Sequence, residues 1–140
     1  MDEFEIKGSS GSIKIELVEV IGYPNNTHFD GGYDCNMKIA INVEDYSANS
    51  SFYATTNNLI KLRDDILQCY QMLDGEVIFF HRDSNLKMNL NFLKQGGVHI
   101  YGSFQKFLSI DNVLSFEFYS DQTFVKETLN QMTFLDKYKA

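Results

Sequence analysis

The sequence predicts an α+β domain: a mostly antiparallel β-sheet of about six to seven strands with two amphipathic helices, in the order β-β-β-α-β-β-β-β-α. Three observations predict it. Twelve Phe and eight Tyr, with no Trp, raise the aromatic fraction to 14%, and such side chains favour pleated, half-buried surfaces. Apolar and polar residues alternate with a period of two along most of the chain. Only two stretches, opening near Thr56 and Ser120, carry apolar residues at helical spacing. A length of 140 residues suits one domain over 1–140, long enough to bury a cooperative core.

Residues 1–12 are polar and carry Gly8-Ser9-Ser10-Gly11-Ser12, which predicts a flexible lead-in with Phe4 and Ile6 able to join the sheet. Ile13, Ile15 and Leu17 then alternate with Lys14 and Glu16; the slip at Val18 predicts a β-bulge. Residues 22–34 hold the only proline, three glycines and two asparagines, and read as a loop longer than a hairpin requires. Met37, Ile39, Ile41 and Val43 mark a strand, followed by a polar turn around Asp45 to Asn49 and a strand near Ser51 to Thr55. Leu59, Leu62, Ile66, Tyr70 and Leu73 form one helical stripe, with Thr56 or Asn57 as its cap and Gly75 at its close.

The second half follows a similar plan. Val77 to Phe80 read as a strand buried on much of both faces, and Leu86, Met88, Leu90 and Phe92 as an alternating strand. Gln95-Gly96-Gly97 suits a tight hairpin into Val98, Ile100 and Gly102. Asp111-Asn112 turns the chain into Val113 to Tyr119. Ser120 or Asp121 caps a last helix with Phe124, Val125, Thr128, Leu129 and Met132 inside. The helices are expected on one face of the sheet, with Lys38, Lys87, Asn89 and Asn91 on a wet face.

Nineteen acidic against twelve basic residues give a net charge of −7. That surface repels phosphate backbones and argues against nucleic acid; it attracts a basic protein partner. The chain opens Met-Asp-Glu without a basic start or apolar run, so no signal peptide, no membrane span and a cytoplasmic location are expected. Cys35 and Cys69 show no Cys-x-x-Cys spacing and read as reduced, buried thiols.

Residues with chemical potential are few. His28 lies near Asp30 and Asp34 in the long loop, but a metal usually needs three or four converging ligands, and the acids miss EF-hand spacing. A polar loop residue is the ordinary reading of His28, a strand-end surface residue that of His81, and a wet sheet face that of His99. No nucleophile elbow and no phosphate-binding glycine loop occurs, so neither enzyme nor cofactor is expected. A competing reading is a sheet-based module for a small ligand, or a structural one, with Phe79, Tyr101 and Phe118 lining a cavity.

The stretch from Asp30-Gly31-Gly32-Tyr33-Asp34 through Cys35 to Val43 resembles the acidic turn entering a central strand in WapI-type bacterial immunity proteins. The helix stripe with Leu59, Leu62, Leu67 and Leu73, the Phe-rich strand, the Leu86 to Phe92 strand and the Val98 to Gly102 hairpin follow in the same order, over roughly residues 13–135. The resemblance implies a small cytosolic, non-catalytic protein that binds and neutralises a cognate toxin domain, often a nuclease with a basic cleft. Contact candidates are His28, Asp30 and Asp34 in the loop, with Glu44, Asp45, Asp64 and Asp65 as exposed acids. The sequence assigns no oligomeric state and no strand order.

Overall fold

The computed structural model describes residues 2–29 and 31–139. Two four-stranded antiparallel sheets make up the core, each with its strands in chain order. The first holds β1 (Glu3–Lys7), β2 (Gly11–Ile21), β3 (Asp34–Val43) and β4 (Tyr46–Thr55). Helix α1 (Thr56–Met72) follows. The second sheet holds β5 (Gly75–Phe79), β6 (Leu86–Phe92), β7 (Gly97–Phe104) and β8 (Leu114–Asp121), followed by α2 (Gln122–Gln131) and a 3-10 segment, Met132–Tyr138.

The α+β class, the antiparallel pairing and the two helices agree with the sequence. The strand count and order do not. The expected lead-in is a strand: Phe4 and Ile6 pair with Ile15 and Ile13 and are 1% and 3% exposed, so burial of two large side chains orders a Gly/Ser-flanked segment. The polar turn is also shorter than expected, because β4 begins at Tyr46 opposite Val43. The order is therefore β-β-β-β-α twice.

Alternation sets the inner faces. Ile13 and Ile15 of β2, Met37, Ile39 and Ile41 of β3, Met88 and Leu90 of β6 and Ile100 of β7 join one buried cluster that runs through both sheets. Phe52 of β4 meets Phe79 of β5 and Phe104 of β7 edge-on, with ring centroids 6.4 Å apart in each case. On the other side Phe118 of β8 lies against Gly11, where a Cβ would fall 2.7 Å from the ring, so the close approach requires glycine. The bulge expected at Val18 is present: register slips between Leu17 and Glu19, and Val18 is 48% exposed.

Thr55, one residue earlier than expected, caps α1. Its hydroxyl accepts from Asn58 N–H at 3.1 Å while Asn58 Oδ1 accepts from Thr55 N–H at 2.9 Å, a reciprocal capping box. Leu73, left-handed at φ 53°, closes the helix in place of the expected Gly75. Leu59, Leu62 and Ile66 face the core, as does Val125 of α2, whose cap is Asp121. Among the described residues no helix is long and apolar enough to cross a membrane.

Two of the four sheet edges, those of β1 and β8, are occupied. Thr128 Oγ1 donates to Glu5 C=O at 2.7 Å, and Gln131 Oε1 accepts from Glu5 N–H at 2.7 Å, so α2 closes the edge of β1. The β1–β2 turn meets the edge of β8, where Ser9 N–H donates to Tyr119 C=O at 3.2 Å. Such plugs remove the free ladder that a strand from another chain would extend.

Candidate functional site

A groove runs beside the outer edge of β4, from the 22–34 loop to the connection between β7 and β8. Its deeper end is a cleft of about 540 Å³ lined by His28, Asp34, Tyr53, Phe80, Arg82 and Asp83 among others. It continues past Tyr53 and Arg82 to Lys106, Phe107 and Leu108.

The floor of the groove is the open edge of β4, whose carbonyls point away from β3 and need donors. His81 Nδ1 lies 2.9 Å from Tyr53 O, and Lys106 Nζ donates to Ser51 O at 3.0 Å and to Ser51 Oγ at 2.9 Å. His81 Nε2 accepts from Leu86 N–H at 3.0 Å. A backbone N–H can only donate, so Nε2 is bare, Nδ1 carries the proton, and the ring is neutral. Burial pushes the His81 pKa below its ordinary 6.5. At 1% exposure between Phe52 and Phe79, His81 corrects the expectation of a surface residue. It joins the two sheets.

The loop end is held in place rather than trailing. Tyr33 is buried, meets Tyr23 edge-on at 5.1 Å, and donates from its hydroxyl to Pro24 C=O at 3.2 Å. Tyr23 in turn packs on Tyr138 at 5.0 Å. Tyr33 N–H donates to Thr56 Oγ1 at 2.9 Å, which fastens the loop to the start of α1. Gly32 (φ 75°) lies so close that a Cβ would fall 2.8 Å from Asn57 N and from Thr56 Oγ1.

The loop residues form a stack at the mouth. His28 lies against Phe29 with centroids 4.2 Å apart, and the Arg82 guanidinium sits 4.7 Å from the Phe29 ring centre. His28 Nε2 is 3.6 Å from Asp34 Oδ1, an ion-pair distance beyond hydrogen-bond reach. Asp30 lies outside the described residues.

The expected contact residues do not form one patch. His28 and Asp34 share the cleft. Glu44 and Asp45 lie in the β3–β4 turn at the far end of β3, about 30 Å away at roughly 3.3 Å per residue. Asp64 and Asp65 sit on α1, where Arg63 Nε is 3.3 Å from Asp64 and Lys61 Nζ 2.8 Å from Asp65. Among the described residues no three His, Cys, Asp or Glu converge to hold a metal. Cys35 is fully buried, and burial pushes its thiol up to about 12, which removes it as a nucleophile.

What the sequence did not flag is the apolar lining. Tyr53, Phe80, Phe107 and Leu108 line the groove and are 54%, 65%, 59% and 57% exposed, and Phe29, stacked on His28 at its mouth, is 80% exposed. Ile78 and Phe80, expected to be buried, point outward because the core takes only Val77 and Phe79 from that strand. One signal was available: Phe107-Leu108 and Ile110 stand in a connection between strands, where polar residues are the rule. Phe79 and Phe118 are packed in the core while Tyr101 lies on the outer face, so these three do not line one cavity.

No curated protein matches the chain. The model of the immunity protein WapI-like family matches residues 5–134, nearly the whole chain, in line with the resemblance carried by the acidic turn and the strands after it. The chain belongs to the WapI-like immunity protein family.

Proposed function

We propose that the protein is a non-catalytic cytosolic binder that neutralises a cognate toxin domain by direct contact through the groove beside β4. One observation carries this reading: five large apolar side chains, Phe29, Tyr53, Phe80, Phe107 and Leu108, stand exposed around Arg82. Aromatic and arginine side chains that lose water together supply most of the affinity in protein interfaces. The proposed contact includes His28, Asp30 and Asp34 at the loop end, with Asp64 and Asp65 on the adjoining helix. Glu44 and Asp45 join it only for a partner that reaches along β3. With a net charge of −7, the protein draws in a basic domain of the nuclease type, and its carboxylates take the place of the phosphates that such a cleft binds.

The test is binding of the toxin domain encoded beside the gene. A complex that weakens from low to high salt is expected. Phe107→Ser with Leu108→Ser weakens it at least about tenfold, while the melting temperature stays put because both side chains are already solvated. A folded protein that forms no complex with that domain overturns the reading.

A further inference from the structure

The outer face of the second sheet differs from an ordinary solvated face. Register places Glu76, Asn91, His99 and Tyr119 in one row across the four strands, and Ile78, Asn89, Tyr101 and Glu117 in the next. His99 lies between two tyrosines, its ring 4.7 Å from Tyr119 at 16° and 4.8 Å from Tyr101 at 33°. A carboxylate braces each side of this stack. Glu117 Oε2 is 2.5 Å from His99 Nε2, and Tyr101 donates from its hydroxyl to Glu76 Oε2 at 2.9 Å. Each brace engages one oxygen of its carboxylate, and both glutamates remain exposed. Tyr119 and Ile78 are 54% and 60% exposed.

We propose that this face docks an extended, arginine-bearing segment of a protein partner. A guanidinium is planar, so it extends the stack by lying on Tyr119, and its fork of donors reaches the exposed carboxylate of Glu117. Glu76 stands three strands away, about 14 Å at roughly 4.8 Å per strand, which an extended chain covers in about four residues. A segment with two arginines four positions apart therefore meets both carboxylates. The amides of Asn89 and Asn91, between the two ends, offer hydrogen bonds to its backbone. Lysine satisfies the charge but not the stacking, and a phosphate-bearing ligand meets two carboxylates of its own sign. The proposal stands apart from toxin binding and is tested without a toxin.

The experiment is an NMR titration of the full chain with the peptide Gly-Arg-Ser-Ser-Ser-Arg-Gly at low salt. Saturable shifts are expected at Glu76, His99, Tyr101, Glu117 and Tyr119. The same peptide with Lys for Arg binds about fivefold more weakly, and Tyr119→Leu weakens the arginine peptide by a similar factor. Glu117→Gln weakens it about tenfold, whereas Glu16→Gln on the outer face of the first sheet leaves it unchanged. The proposal fails if no saturable shift occurs, if the lysine peptide binds equally, or if Glu16→Gln and Glu117→Gln weaken binding alike.

Discussion

The two halves of the chain are built to the same order, four antiparallel strands in sequence and then a helix, and they treat their outward faces in opposite ways. On the first sheet, charges of opposite sign answer one another: Lys14 reaches Glu3 at 2.8 Å, and the neighbouring rows carry Lys38, Ala40, Asn42, Ser47 and Asn49. On the second, aromatic rings and carboxylates cover the same area, and Ile78 and Phe80 continue it into the groove beside β4. The inner faces, by contrast, are alike. Core packing constrains every inward position, whereas an outward position is free to carry either solubility or recognition. The difference between the halves is therefore where binding is to be sought.

The inner faces are the place to break the equivalence first. Ile41 of the first sheet and Ile100 of the second are both fully buried. Ile41→Ala and Ile100→Ala each cost about 3 kcal/mol, within the usual 2–5 for such truncations. Because one cluster runs through both sheets, each variant shifts a single urea transition. Two transitions, or a loss confined to one variant, would show that the sheets fold separately.

The joint between the halves comes next. His81→Ala removes the donor to Tyr53 C=O and the acceptor for Leu86 N–H and is expected to cost about 2 kcal/mol in urea unfolding. The pH dependence has a definite sign. The folded pKa of His81 lies below 6.5, so on acidification the unfolded chain binds the proton first. Its contribution is complete above pH 6.5 and declines as pH falls toward the folded value. The urea midpoint of the native chain therefore drops as pH falls below 6.5, and His81→Gln flattens part of that slope. A slope unchanged by the substitution would assign it to other groups.

The smallest effect sharpens the contrast between the outer faces. Lys38→Ser on the first sheet and Tyr119→Ser on the second each alter stability by no more than about 0.5 kcal/mol, since both side chains meet solvent. Their difference is expected in binding alone, with only the Tyr119 variant binding the arginine peptide more weakly. A large stability loss at Tyr119 would make the ring stack a structural element.

Much of the fold was legible because local rules govern it. The bulge at Val18 appears as a slip in the alternation, α2 begins at an Asp121 cap, and the stripe Leu59, Leu62 and Ile66 shows which side of α1 is buried. β1 was legible only in Phe4 and Ile6, expected as able to join the sheet, because five residues are too few for a periodic signal and the Gly/Ser flank resembles a linker. His81 escaped for another reason. Beside Arg82 and Asp83 it reads as a polar strand end, and its burial comes from Phe52, Phe79 and the β4 edge, none of them detectable from its neighbours in sequence. The sequence placed His28 and Asp34 in one long loop, which the structure sets beside the cleft, but the aromatic groove was not legible, since Tyr53, Phe80 and Phe107 come from three distant segments.

The sequence by itself determined the class of fold, the inward residues of most strands, the two helices and the acidic charge, because alternation, capping and composition act within a few residues. Tertiary structure alone decided that the strands divide into two sheets, that His81 is buried between them, and that aromatic residues from distant segments form one groove. Periodicity states which way a side chain points but not what it meets. Only the closure of both sheets around one core settles that.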